Sequence, residues 1–187
     1  MNKASVVSSL QTLGWRVQTD EVGDKVAFFD LPDRIVDAIP SVRRYGDDQQ
    51  LSTMKSLSTE KFSATCQHIR NRGDTYTPLI RAMKSFRLIV PEILDDHVRQ
   101  ASDDAIAWAK EQDVERALQE YAALPTTAPG ARPVWHLGAL AVLGDVARLK
   151  SYQASFEAGD RLGFVNYVTK DYIDRAVALA EQNAAGI

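Results

Sequence analysis

The sequence has little of what builds a covalent or metal-centred site. Cys66 is the single cysteine among 187 residues, so no disulfide can form within the chain and a zinc or cluster site built on cysteines is excluded. The start MNKASVVSSLQTLGW lacks the apolar run of a signal peptide, and no stretch approaches the length that spans a bilayer. We therefore expect a cytoplasmic protein that does not enter the membrane.

The motifs of the commonest enzyme classes are also missing. The chain contains no GxxxxGK[ST], no GxGxxG after a strand, no HExxH and no GxSxG. Its three histidines come from three different segments, and no two have the spacing that places two metal ligands on one helix face. We expect no catalytic residue, no metal and no cofactor, which favours a protein that is not an enzyme.

What is present is an ordinary globular composition with an uneven charge. The chain is 45% hydrophobic and 25% charged, enough to form a sizeable core. Residues 1–90 hold 13 Lys/Arg against 10 Asp/Glu, whereas residues 91–187 hold 9 against 15. Neither half has the charge density of a nucleic-acid-binding domain, so strong nucleic-acid binding is disfavoured. The contrast suits an electrostatically steered protein partner.

The first 70 residues predict a helix followed by a small antiparallel sheet. Apolar spacing predicts a helix over 2–13, and WRVQTDEVGDKVAFF predicts a hairpin that turns at Gly23–Asp24. A further strand is expected after Pro40. The alternation of Phe62, Ala64, Cys66 and His68 with polar residues predicts another strand over 62–68.

The second half changes to helical periodicity. We expect a helix from Pro78 that runs into a strand at Leu88 to Val90, then a helix from Asp95 and another that ends before Pro125. TTAPGARP is a loop, and three helical patterns follow it. The predicted fold class is α+β, with an N-terminal helix and small antiparallel sheet followed by a helical C-terminal layer. We expect a single domain over 1–187, with 1–124 and 133–187 as its alternative subdivision.

Two local resemblances accompany this pattern. Residues 133–160, PVWHLGALAVLGDVARLKSYQASFEAGD, resemble a single ankyrin-type helix pair, with Pro before His-Leu and Gly-Asp at both turns. The order helix, hairpin, strands, helix in the first 110 residues loosely resembles type III secretion chaperones. The whole chain is similar to an uncharacterised bacterial protein family of about this length. These resemblances imply a helix pair and a protein-binding role, and no activity.

The stretch GDRLGF, residues 159–164, has two interpretations. In one, the backbone amides of the glycine-bearing turn and the guanidinium of Arg161 bind an anionic ligand, a carboxylate or a phosphate. In the other, Gly159 ends a helix, Gly163 permits a second bend, Phe164 enters the core and Thr169 caps the last helix. The structural interpretation explains every residue except Asp160 and Arg161, and both interpretations stay open at this point.

A second candidate site is the basic run between residues 70 and 87. If Arg81, Lys84 and Arg87 share a helix face, that face could receive an acidic partner. The alternative is a solvated basic surface. Cys66 and His68 would lie on one strand face, about 7 Å apart, which is too far for direct activation of the thiol. We therefore expect Cys66 to be a buried structural residue.

Two functions follow from these observations. The first is a soluble protein-binding factor, chaperone-like or of the toxin-neutralising immunity type, that acts by surface recognition without catalysis. The alternative is a small-molecule enzyme or sensor with a site between the sheet and the helical layer that uses His136, Asp160 and Arg161. The second predicts that these three side chains converge on one concave pocket.

Overall fold

A computed structural model of the protein describes residues 1–19, 23–73 and 76–186. These residues form a mixed α+β structure, which confirms the predicted fold class. Its elements are, in chain order, α1 (Lys3–Thr12), β1 (Arg16–Thr19), β2 (Lys25–Asp30), β3 (Ile35–Tyr45), β4 (Asp48–Ser58), α2 (Glu60–Arg70), β5 (Ile80–Arg81), β6 (Phe86–Val90), α3 (Asp95–Glu111), α4 (Val114–Ala122), α5 (Arg132–Leu143), α6 (Val146–Glu157) and α7 (Lys170–Ala184).

The chain divides into two compact units that interleave along the sequence. The first unit consists of Met1–Ser58 and Ile80–Gln112, and the second of Thr59–Leu79 and Asp113–Ile187. All six strands, with α1 and α3, therefore belong to the first unit. The second unit is helical. None of the helices in the described ranges is both long and apolar enough to cross a membrane.

The N-terminal helix and hairpin form as predicted. The side chain of Asn2 accepts a hydrogen bond from Ser5 N at 2.9 Å and caps α1. The chain leaves the helix through Gly14, whose φ of +92° is in the left-handed region. β1 and β2 then pair antiparallel. Residues 20–22, between β1 and β2 in the sequence, lie outside the described residues, so only Gly23 and Asp24 of the predicted turn are described.

The sheet is an antiparallel meander, and two short strands, β5 and β6, share its edge beside β4. Its order is β1-β2-β3-β4, and β5 and β6 both pair with β4, at opposite ends of that long strand. β3 and β4 pair without interruption from Ile35 with Ser58 to Tyr45 with Asp48. The strand expected after Pro40 therefore begins before the proline, at Ile35, because β4 pairs with residues on both sides of Pro40.

The core of the first unit lies between one face of the sheet and helices α1 and α3. Val36, Leu51 and Leu57 point to this face and are fully buried. Trp15 is also buried, and its Nε1 donates to Ser102 Oγ of α3 at 2.8 Å. On the same face, the ammonium of Lys55 forms an ion pair with Asp104 of α3. The predicted helix from Asp95, with two aspartates in its first turn, is thereby confirmed.

The strand predicted over 62–68 is wrong, because these residues lie in α2. Thr59 caps this helix, with its Oγ1 accepting from Phe62 N at 3.0 Å. Phe62, Cys66 and Ile69 recur at helical spacing and are fully buried. Buried Ser63 and Thr65 lie beside that stripe, so the small polar residues made a helix look like an alternating strand.

The helix predicted from Pro78 is also wrong. This segment contains β5, a bend and β6, whereas the strand expected at Leu88 to Val90 is confirmed and begins earlier, at Phe86. Pairing with β4 determines this conformation, and a distant strand is invisible to local periodicity. Arg81, Lys84 and Arg87 therefore do not share a helix face.

The second unit contains the predicted helical layer. α5 and α6 are consecutive helices joined at Gly144, whose φ of +71° ends α5. These two helices make up most of residues 133–160. Leu137, Leu149 and Ile173 of α5, α6 and α7 are fully buried and form the core. α4 ends before Pro125, as predicted.

Candidate functional site

One face of the sheet in the first unit combines exposed cations with exposed apolar side chains. It is the face opposite Leu51 and Leu57, because successive residues of a strand point to opposite sides. Cross-strand pairing places Arg81 beside Ser56, Arg87 beside Ser52, and Arg43 and Ile89 on either side of Gln50. Met54 belongs to the same row of β4 residues. We call this surface the arginine face; it is defined by Arg43, Met54, Arg81, Arg87 and Ile89.

The apolar residues of the arginine face are unusually accessible. Met54 is 58% exposed and Ile89 is 39% exposed. In the bend between β5 and β6, Met83 is 99% exposed. Three exposed apolar residues therefore lie on or beside this face of the sheet.

The cations of the arginine face, and Lys84 in the bend beside it, form no ion pair among the described residues. Arg43, Arg81, Lys84 and Arg87 are exposed, and none of them is within ion-pair distance of a described carboxylate. The opposite edge differs, because Arg16 of β1 donates to Asp30 of β2 at 2.7 Å. Arg81 of β5 and Arg87 of β6 lie on the same side of the sheet, and Lys84 lies in the bend between these strands.

The first unit also contains a cleft of about 640 Å³ beside the β3–β4 turn. Arg43, Arg44, Asp47, Asp48 and Glu92 contribute both signs of charge to its lining, together with Met1, Asn2, Lys3, Val42, Gln49 and Pro91. None of the predicted ligand-binding residues lines it. The mixture of charges does not select a ligand class.

His136 lies in the core of the second unit, at the start of α5. It is fully buried, with Nδ1 3.0 Å from Tyr121 O and Nε2 3.1 Å from Tyr152 Oη. A carbonyl only accepts, so Nδ1 carries the proton and Nε2 accepts from the tyrosine hydroxyl. That hydroxyl in turn accepts from Arg148 Nε at 2.9 Å. The three side chains form one hydrogen-bonded chain.

Burial controls the charge of this histidine. Desolvation lowers the pKa of His136 from its ordinary value of 6.5, and the charge of Arg148 lowers it further. The Tyr121 carbonyl and the charge of Asp145 act in the opposite direction. The neutral ring therefore fits the hydrogen-bonded chain in which it lies.

Asp160 and Arg161 hold the loop between α6 and α7. Asp160 Oδ1 accepts from Leu162 N at 2.8 Å. Arg161 Nη2 donates to Val165 O at 3.0 Å and to Val168 O at 2.8 Å. Both side chains are exposed, whereas His136 is buried. These contacts supply the structural role that the sequence left open for Asp160 and Arg161, and we base no function on the three residues.

GDRLGF follows the predicted sequence of helix end, bend and anchor. Gly159 and Gly163 have φ of +84° and +77°, and a Cβ at Gly163 would lie 2.6 Å from Thr127 Cγ2. Phe164 is buried, with its ring centroid 5.6 Å from that of Tyr152. Thr169 is the N-cap residue of α7 but makes no side-chain capping bond.

Cys66 is a buried structural thiol. It is fully buried in α2, and burial raises the pKa of its thiol to about 12 although Arg70 acts against the shift. His68 is exposed, and positions i and i+2 of a helix do not share a face. In the described residues, no group of three or more His, Cys, Asp or Glu side chains could hold a metal ion.

Sequence reasoning missed Met54 and Ile89 of the arginine face and the partners of His136. The spacing of Arg148 and Tyr152, four residues apart on one helix, is a signal that could have paired them. No local signal links Met54 with Ile89, because only the register of β4 and β6 brings them to one face.

Comparison with known proteins gives a family and no relative of known activity. A family model described as a family of unknown function, DUF6990, matches residues 2–181. Neither a search of the curated proteins nor a search of the solved structures found a match. The expected membership of an uncharacterised family is thereby confirmed, whereas the resemblances to secretion chaperones and to an ankyrin helix pair stay predictions.

Proposed function

The chain belongs to the DUF6990 family, and for it we propose a protein-binding function carried by the arginine face. The partner presents a surface that is acidic and partly apolar, and recognition proceeds by complementarity without chemistry. A chaperone-like or immunity-type factor is the finer form of this proposal.

The proposal depends on two features of one surface: cations that form no ion pair with a described residue, and exposed apolar side chains. Met54 and Ile89 lie on the same face as Arg81 and Arg87. Apolar burial contributes roughly 25 cal/mol for each Å² removed from water, while complementary charge raises the association rate and selects the partner. A surface that only kept the protein solvated would not need the apolar residues.

The source of the attraction is local. The sequence halves differ strongly in net charge, whereas the two units differ by a single charge, because each unit draws residues from both halves. The first unit holds 12 Lys/Arg against 14 Asp/Glu, and the second holds 10 against 11. Electrostatic steering of an acidic partner therefore depends on the three arginines of the arginine face and on Lys84 beside it.

Site-specific photo-crosslinking tests the proposal. A photo-reactive residue at Met54 is expected to capture a stoichiometric protein partner in cells, and the same residue at exposed Ala107 of α3 is the control. The double variant Arg81→Glu/Arg87→Glu should abolish capture at Met54, because it reverses the charge that attracts the partner. A purified protein that carries a tightly bound small molecule and captures no stoichiometric protein would contradict the proposal.

The captured partner also separates the two finer forms. An immunity-type factor inhibits an enzymatic or pore-forming activity of its partner at a one-to-one ratio. A chaperone-like factor keeps its partner soluble and does not inhibit the partner's activity. Assays of partner activity and of partner solubility, with and without the chain, therefore assign the class.

A further inference from the structure

We propose that the partner contributes an extended strand to the β6 edge of the sheet, with acidic side chains on the arginine face and apolar side chains on the other. This inference rests on the proposed protein-binding function and specifies how the partner is held. The ligand class is an extended polypeptide segment with alternating acidic and apolar residues.

The first argument is the exposure of an edge that has little protection. β6 pairs with β4 alone among the described strands. Its sequence, FRLIV, contains β-favouring residues, no proline and a single charge, and each of its five side chains is exposed or half-buried. Natural sheets usually shield such an edge with prolines, charges or a covering element, because its free backbone groups are a template for another strand.

The second argument is the direction of the backbone groups. Ala82 N donates to Lys55 O at 3.0 Å, so Lys55 and alternate residues of β4 direct their hydrogen-bonding groups towards this edge. β4 has no bulge against β3, and the partners of Leu51 and Thr53 are Leu88 and Phe86. The backbone groups of those partners consequently face β4.

Arg87 and Ile89 therefore direct their backbone N–H and C=O groups away from the sheet. The same two residues place their side chains on the arginine face. A strand added beside them would bond to their main chains and present its own side chains next to their side chains. Main-chain bonding would supply affinity and alternate side chains would supply specificity.

The third argument is the charge that the added strand must carry. Arg81, Lys84 and Arg87 follow one another along this edge, and none of them has an ion-pair partner among the described residues. On the opposite face of β6, Phe86, Leu88 and Val90 are half-buried. An added strand with acidic residues on one side would meet these cations. Its apolar residues on the other side would pack beside Phe86, Leu88 and Val90.

A second copy of the chain fits this edge less well. Antiparallel pairing of two β6 strands centred on Leu88 would place the two Arg87 side chains in diagonal positions on one face, about 7–8 Å apart. Like charges there oppose association. An acidic segment of another protein meets the same cations with favourable charge, so it is the occupant that we propose.

The test uses the complete chain and a fluorescent peptide of four Glu-Val repeats as the probe. Binding is measured by fluorescence anisotropy. A peptide of four Lys-Val repeats controls for charge, and a Glu-Val peptide with two internal prolines controls for the strand. We expect the Glu-Val peptide to bind and both controls to bind weakly.

The substitution Ile89→Pro tests whether main-chain hydrogen bonds at the β6 edge contribute to binding. Ile89→Pro removes an outward N–H at a position where an edge strand tolerates proline, and Ile89→Thr removes the same apolar side chain but keeps the N–H. We expect Ile89→Pro to raise Kd for the Glu-Val peptide up to about tenfold above that of Ile89→Thr, because the hydrogen bond donated by the Ile89 N–H is lost. Arg87→Glu should also weaken binding.

Amide exchange of the wild-type protein gives a readout that depends on no variant. On addition of the Glu-Val peptide, the amides of Arg87 and Ile89 should gain protection, whereas that of Leu88 should already be protected by β4. Unchanged exchange at Arg87 and Ile89 under saturating peptide would overturn the inference, even if Ile89→Pro proved unstable.

The outcomes separate this inference from the proposed function. If Arg87→Glu weakens binding and Ile89→Pro matches Ile89→Thr, the arginine face binds acidic proteins but the edge inference is overturned. If neither substitution changes binding, and crosslinking at Met54 captures no protein, both proposals are overturned. Concentration-dependent self-association that Ile89→Pro abolishes would assign the edge to a second copy and overturn the proposed occupant.

Discussion

At the scale of single residues, His136 of α5 is hydrogen-bonded to α4 and to α6 through its two ring nitrogens. Its Nδ1 binds the carbonyl of Tyr121 in α4, and its Nε2 accepts from Tyr152 in α6. Arg148 extends the chain back to α4, because its Nη1 donates to Ala122 O at 2.8 Å. A second proton on the ring would turn Nε2 into a donor and leave the Tyr152 hydroxyl proton without its acceptor. This hydrogen-bonded chain therefore favours the neutral form of His136 in the folded state.

Stability should therefore fall in mild acid. Because the folded-state pKa of His136 is lowered, the unfolded chain binds the additional proton first. The contribution of His136 to the free energy of unfolding is fully present above the ordinary histidine pKa of 6.5. It falls as pH drops below that value, by at most about 1.4 kcal/mol per pH unit. Urea unfolding between pH 5 and 8 measures this slope.

Matched histidine substitutions check the assignment. His136→Gln should remove the slope below pH 6.5 from the free energy of unfolding, whatever its effect at pH 8. His68→Gln, at an exposed histidine of α2, is the matched control. If His136→Gln retains the wild-type slope, the histidine does not control the pH response.

The role of His136 was not predictable from the sequence, for a physical reason. Its position after a loop permitted either a ligand or a capping role. The deciding partners, the carbonyl of Tyr121 and the hydroxyl of Tyr152, come from two other helices. Asp160 is different, because its bond to Leu162 N two residues away is a local turn contact.

At the scale of elements, the packing of α2 against α5 depends on a missing side chain. A Cβ at Gly138 would lie 2.6 Å from Cys66 Sγ and 3.5 Å from Phe62 Cε2. Real Cβ atoms do not approach a sulfur so closely, and tight interiors relax only partly. Gly138 is thus the position at which the two helices make their close approach.

Gly138→Ala should destabilise the protein. Overpacking costs about 1–3 kcal/mol, whereas the gain in helix propensity is at most about 1 kcal/mol. We expect a net loss of up to about 2 kcal/mol in the free energy of unfolding. In a Cys66→Ala background the sulfur is absent, and the same substitution should be neutral or stabilising. A double-mutant cycle with no coupling would contradict this packing.

Two helix caps should respond differently to alanine. Asp113 Oδ1 accepts from Arg116 N at 2.9 Å at the start of α4, so Asp113→Ala should cost about 1 kcal/mol. Thr169 is the N-cap residue of α7 and makes no such bond, so Thr169→Ala should cost little. Equal losses in chemical denaturation would contradict the capping geometry.

The elements that the sequence predicted are those with local determinants. α1 has a capping Asn2 and a stopping Gly14, and α3 has a regular apolar stripe. β5 has only two residues, and its pairing with Ser56 and Leu57 is a long-range contact. The arginine face was not predicted for the same reason, because the register of β3, β4, β5 and β6 brings its residues to one side of the sheet.

At the scale of the whole molecule, the two units follow packing and not chain order. α2 directly follows β4 in sequence, yet it belongs to the helical unit. Its Ile69 carbonyl accepts from Arg175 of α7, at 2.8 Å from Nε and 2.6 Å from Nη2. Phe62 stacks with Tyr121 of α4, with ring centroids 6.1 Å apart. Each unit thus has its own core residues.

Hydrogen exchange should therefore group α2 with α5 and α7, and not with its neighbour β4. Leu137 and Leu57 are fully buried in the second and first unit, and each Leu→Val change removes one methylene, worth about 0.8 kcal/mol. Sub-global openings of the affected unit should then speed amide exchange roughly fourfold. Leu137→Val should accelerate exchange in α2, α5 and α7, and Leu57→Val in β3 and β4. Equal acceleration everywhere in both variants would mean that the chain opens as one cooperative unit, so the comparison of α2 with β4 decides between the two cases.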